Sequence, residues 1–133
     1  MASSLICRET QSRVSSVLNR DVNEETCWNS DQGEYQWVSL QFPQPVKISE
    51  IKFQFQGGFA AKACRLEGSL QDGEFKGISQ FYPEDDNSLQ ISFWISSLEA
   101  PVVDKVKIIF ENSTDFFGRI IVYTLDILGE KTP

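Results

Sequence analysis

Histidine is absent from the 133 residues, so the commonest general base near neutral pH is missing. Ser-His-Asp and Cys-His nucleophile systems are excluded with it, as are histidine-based metal sites. Cysteine is scarce: Cys7, Cys27 and Cys64 stand 20 and 37 residues apart, with no CxxC pair, which fits none of the usual zinc spacings. Three cysteines cannot all pair within one chain, and reduced thiols are expected. No apolar run approaches the length of a membrane helix, and the first residues lack a basic segment followed by an apolar stretch. A non-secreted chain is expected, and without secretion the sequon Asn112-Ser113-Thr114 is a chance match. Positive charge is also short, 12 Lys and Arg against 19 Asp and Glu, for a formal net charge of -7. Neither nucleic acid nor an anionic membrane is expected as a direct partner, because phosphate backbones are held by clustered cations.

What is present is enough apolar material, 41% of residues, to build one core. It is arranged in short β-rich runs broken by Gly, Pro, Asn and Asp, with no sustained helical period. Strands are predicted at 12–18, 36–42, 46–56, 63–70, 75–82, 89–95, 102–110 and 118–128. Trp28 stands in the polar loop 19–33. Within 36–42, Val38, Leu40 and Phe42 alternate with Trp37, Ser39 and Gln41, the pattern of a strand with one buried face. Pro43 and Pro45 are expected to break the ladder there, since proline has no backbone donor. Residues 96–100 suit one helical turn and 129–133 a fraying tail. About eight strands at this spacing predict an all-β, two-sheet antiparallel sandwich formed as a single domain over 3–131.

Few groups suggest chemistry. Glu84, Asp85 and Asp86, like Glu24 and Glu25, are adjacent acids in turns and read as solvated surface. Asp115-Phe116-Phe117-Gly118 resembles a kinase metal-binding tripeptide only superficially, because the rest of the kinase motif set is missing. It reads as a turn whose two aromatics plug one end of the sandwich. Gly57-Gly58 reads as a turn or bulge, since no phosphate-loop motif surrounds it. Residues 14–18 read as strand although they loosely resemble an apolar helical docking motif. Trp28 and Trp37 read as core, whereas an aromatic platform requires Trp28, Phe59 and Phe116 exposed on one rim.

Several strings taken together carry a resemblance over about 3–131. They include Ser15-Ser16-Val17-Leu18-Asn19, Glu25-Thr26-Cys27-Trp28, Phe55-Gln56-Gly57-Gly58-Phe59, Thr114-Asp115-Phe116-Phe117-Gly118-Arg119 and Leu128-Gly129-Glu130-Lys131. In order and spacing the chain resembles the discoidin-like, coagulation-factor C-type domains, and more closely an intracellular group of them associated with an orphan nuclear receptor. The resemblance implies a galactose-binding-domain-like jelly roll. It also implies a non-catalytic protein-binding module in the nucleus that hinders the receptor's DNA binding and transactivation. A monomer without cofactor is expected. The group carries about ten more residues before Glu25. In related domains that loop holds calcium, so Asn23, Thr26 and Glu130 are read as remnants of such a site, and the shortened loop argues against a full oxygen shell. For partner contact the candidates are Phe59, Asp85, Asp86, Phe116 and Arg119. The alternatives are a carbohydrate- or calcium-binding module and a subunit of an intracellular complex.

Overall fold

A computed structural model describes residues 3–6, 10–14, 28–33, 35–93 and 101–132. Among them are nine strands and no helix: β1 (Ser3–Ser4), β2 (Gln11–Val14), β3 (Trp28–Asn29), β4 (Tyr35–Phe55), β5 (Ala61–Ser69), β6 (Lys76–Phe81), β7 (Gln90–Phe93), β8 (Val102–Ser113) and β9 (Ile121–Lys131). All pairings are antiparallel.

The architecture turns on β4, which serves both layers. Its first part, through Gln41, pairs with β2 and β8, and its second, from Val46, pairs with β7 and β9 while Val46 and Lys47 keep hold of β8. One layer therefore runs β6-β5-β8-β4-β2 and the other β7-β4-β9, with β1 and β3 also bonded to β9. The ladder to β8 skips from Gln41 to Val46, across Pro43 and Pro45. Missing donors interrupt the ladder as expected, yet the chain stays extended and bends from one layer into the other. A second shift, between Ile48 and Glu50 against β9, moves the inward face from Val46 and Ile48 to Ile51, Phe53 and Phe55.

Between the layers lies one apolar cluster that includes Val38, Leu40, Ile51, Phe55, Leu66, Val106, Phe110 and Ile127. Phe55 meets Phe110 edge to face across the interior at 5.8 Å, and Phe53 meets Phe81 at 5.2 Å. Truncating a ring such as Phe55, which has no exposed surface, costs about 3–5 kcal/mol through lost transfer energy and the cavity left behind. Trp28 packs on this core, 5.7 Å from Phe110, and belongs to a short strand rather than to a loop.

The segment from Gly129 does not fray as expected. Gly129 pairs with Ser3 and Ile48, and a Cβ there would lie 1.9 Å from the Lys47 carbonyl oxygen. Thr132 then donates from its N–H and its hydroxyl to the Pro45 carbonyl, at 3.1 and 2.9 Å. The proline bend, having no ladder partner of its own, supplies the acceptor that fastens the end of the last strand. The helical turn expected at 96–100 lies outside the described residues, as do 15–18 of the first expected strand.

Candidate functional site

At the end of the sandwich where β8 leaves and β9 begins, the segment 114–119 forms a tight turn organised by Asp115. One carboxylate oxygen accepts from the N–H groups of Phe117 (3.2 Å) and Arg119 (3.1 Å) and from Arg119 Nε (3.0 Å), while the other accepts from Arg119 Nη2 (3.2 Å). The Arg119 guanidinium, first among several hydrogen-bonding causes, holds the Asp115 carboxyl below its usual range, and the pair raises Arg119 in turn. Ser113 completes the turn, accepting from the Asp115 N–H and donating to the Arg119 carbonyl.

Gly118 has φ of 82°, and a Cβ on it would stand 1.8 Å from the Gly33 carbonyl oxygen. Only glycine lets the turn lie against residue 33, whose N–H donates to the Phe117 carbonyl. The aromatic side chains, held edge to face at 5.2 Å, do not plug the sandwich: Phe116 is 93% exposed and Phe117 52%. The clamp directs them outward over an open depression of about 570 Å³.

Phe59 lies on the other side of Arg119, whose guanidinium carbon sits 5.1 Å from the Phe59 ring centre and 5.8 Å from that of Phe117. The turn 83–87 folds onto the glycine pair here. Asp85 accepts from the Gly58 N–H at 2.8 Å and from the Thr114 hydroxyl at 3.4 Å, and Asn87 accepts from the Gly57 N–H at 2.7 Å. Phe59, Asp85, Phe116 and Arg119, read separately from the sequence, therefore converge on one rim. Asp86 faces Ser88 instead, accepting from its hydroxyl and its N–H, which lower the Asp86 carboxyl below the ordinary value.

Other expected site residues lie elsewhere. Glu130 is near the far end of β9, about 30 Å along the strand from the rim. Asn23 and Thr26 lie outside the described residues, and among those described no three His, Cys, Asp or Glu side chains group as metal ligands. Cys64 is buried, and burial followed by the Glu111 charge drives its thiol well above the ordinary range, so it is inert as a nucleophile. Sequence reading missed Asp115 and Thr114 as organisers of the rim. The signal was available in the Asp-x-x-Gly pattern, which was read as a turn, but without a role for its carboxylate.

No family model matches the sequence. A curated relative from Danio rerio, the nuclear receptor 2C2-associated protein, is 68% identical over 142 aligned positions that cover 98% of this chain and 99% of that one. The chain belongs to the nuclear receptor 2C2-associated protein family. Its Homo sapiens member is 52% identical with the same coverage. Both alignments have 142 positions, nine more than this chain has residues, so these family members carry positions without a counterpart here.

Among solved structures, the family fold resembles the family 32 CBM of Clostridium perfringens NanJ in complex with galactose. That match has a TM-score of 0.75 at 14% identity and covers 96% of this chain and 99% of the other. An F5/8 type C domain from Bacteroides fragilis also gives 0.75, at 11% identity, with 98% of each chain covered. These likenesses establish the galactose-binding-like sandwich expected from the sequence.

Proposed function

We propose that the chain is a non-catalytic module that docks on an orphan nuclear receptor through the rim and acts in the nucleus to hinder the receptor's binding to DNA. Receptor association is the naming property of its curated relatives. The observation that carries the docking surface is Phe116, a phenyl ring almost wholly in solvent on a turn immobilised by four contacts to one carboxylate. Because the turn that carries the ring is already ordered, docking on it orders little backbone, which suits an interface hot spot. The formal charge of -7 supports repression by competition, since a DNA-binding surface is basic and an acidic domain is steered toward it. A non-enzymatic role agrees with the missing histidine and the buried, protonated Cys64.

Pull-down of the receptor by wild-type chain and by F116A tests the reading, with capture expected to fall about tenfold for the variant, the scale of a truncated hot spot. Equal capture would remove the rim as the docking surface, and capture that does not weaken with salt would sink electrostatic competition. Carbohydrate binding is the second reading, supported by neighbours solved with sugars and by the open depression beside Phe116. Hits on a glycan array that disappear in F116A would favour it. A calcium-dependent rise in Tm would restore the metal site read at Asn23, Thr26 and Glu130. Co-purification with a stable set of proteins other than the receptor would point to a complex subunit.

A further inference from the structure

The outer face of the β2-β4-β8 layer carries a groove of about 260 Å³ whose lining includes Arg13, Trp37, Phe75, Lys105 and Lys107 and no carboxylate. It stands out because the chain as a whole is acidic, with a net charge of -7. The register creates it. Arg13 pairs with Ser39, which pairs with Lys107, while Gln11, Gln41 and Lys105 form the next row, and paired residues project to the same side of a sheet. Trp37 lies one row beyond Lys107, whose ammonium sits 4.8 Å from the indole centre.

These charges are only lightly engaged inside the fold. Among the described residues neither Arg13 nor Lys107 enters an ion pair. Lys105 faces Asp72, at 3.9 Å with the aspartate side chain 90% exposed, a contact easily exchanged for another anion. Glu67, paired in register with Lys107, turns to Arg65.

We infer that this groove is a second docking surface, and that it takes an extended acidic peptide in which an apolar side chain and two carboxylates alternate. The spacing argues for that occupant. Trp37, Lys107 and Lys105 occupy successive same-face rows, so each step is about 6.8 Å, the two-residue repeat of an extended chain. An apolar residue of the peptide takes the place of the Lys107 ammonium on Trp37, that ammonium turns with Arg13 to the first carboxylate, and the second carboxylate lies on Lys105. Single-stranded nucleic acid offers both charge and rings, but three cations in an acidic chain release few counterions, and a long polyanion feels the repulsion of the whole molecule. A short peptide with two carboxylates feels less of it. This surface is distinct from the rim proposed for the receptor, which is aromatic where the groove is cationic.

The test is fluorescence polarisation with a labelled serine-based peptide carrying phenylalanine, glutamate and glutamate at alternate positions, beside its glutamine version and oligothymidylate of equal length. Saturable binding is expected for the glutamate peptide, at least about tenfold weaker binding for the glutamine version, and a similar loss for K105Q/K107Q. F116A is expected to bind the peptide as wild type does. Absence of saturation, equal binding of the glutamine peptide, undiminished binding to K105Q/K107Q or tighter binding of oligothymidylate would each overturn the inference. If the double variant fails to keep its circular dichroism spectrum, R13Q replaces it. A loss of about threefold is then expected for that exposed edge-strand position, and no loss counts against the groove.

Discussion

The rim and the groove are built by opposite means. The rim owes its shape to local chain: Asp115 fixes residues within four positions of itself, and Asp85 and Asn87 are consumed in fastening two glycine N–H groups. Its acids are structural, and what remains exposed is aromatic. The groove has no local organiser. Its cations come from residues 13, 105 and 107, brought together only by strand register, and the contacts that engage them are weak, Lys105 with the exposed Asp72 and Lys107 over Trp37. An apolar ring on an ordered turn and a set of lightly engaged charges are two ways to prepare a surface for a partner, the first through preorganisation and the second through long-range attraction.

The comparison is broken most forcefully at Gly118. Alanine there adds a positive-φ penalty to a 1.8 Å overlap with the Gly33 carbonyl, and backbone cannot yield as a flexible side chain does. A loss of about 3 kcal/mol or more is expected for G118A in urea denaturation. Gly58 provides the control: its φ of 88° is similar, yet nothing lies within 4 Å of the added Cβ, so G58A is expected to cost only about 1 kcal/mol. If the two variants proved equally stable, the close packing of the rim turn on residue 33 would be wrong.

D115N is expected to cost about 1–2 kcal/mol at neutral pH, because several hydrogen bonds lose a charged acceptor. The same variant separates the two regions by pH. The folded-state value of Asp115 is depressed, so its stabilisation is complete above the unfolded carboxylate range near pH 4 and fades as pH falls through the folded value. Wild type should lose its advantage over D115N on acidification below about pH 4, seen as converging Tm values. Groove variants such as K107Q should show no such convergence, since they leave the Asp115 carboxylate and its partners in place.

How much of this could be read from residues alone follows from the same contrast. Alternation within 36–42 placed Val38, Leu40 and Phe42 inward correctly, because burial on one face of a strand leaves a two-residue period in the sequence. Convergence of Phe59, Asp85, Phe116 and Arg119 was not legible beforehand, as no local pattern links residue 59 to residue 119. Outward placement of Phe116 and Phe117 was not legible. Aromatic residues are usually buried, and nothing in the composition of a turn says that a carboxylate two positions away has fixed it facing solvent. The groove was invisible for a further reason. Trp37, Ser39 and Gln41 were seen to share a face, but which strand lay beside it, and therefore that Lys105 and Lys107 joined them, depended on a pairing between residues about seventy apart in sequence.

The smallest expected effect on stability is also the most informative about function. Phe116 is 93% exposed and its ring touches little except Phe117, so F116A should change the unfolding free energy by less than about 0.5 kcal/mol. A neutral result gives a folded protein in which receptor capture can be compared without correction for unfolding. Loss of receptor capture with intact binding of the acidic peptide would show that the two surfaces act independently. Loss of both would mean that one surface, not two, carries recognition. A destabilised F116A, by contrast, would mean that the ring rests on neighbouring chain in solution, and an aromatic committed to its own fold is not available as an anchor for a partner.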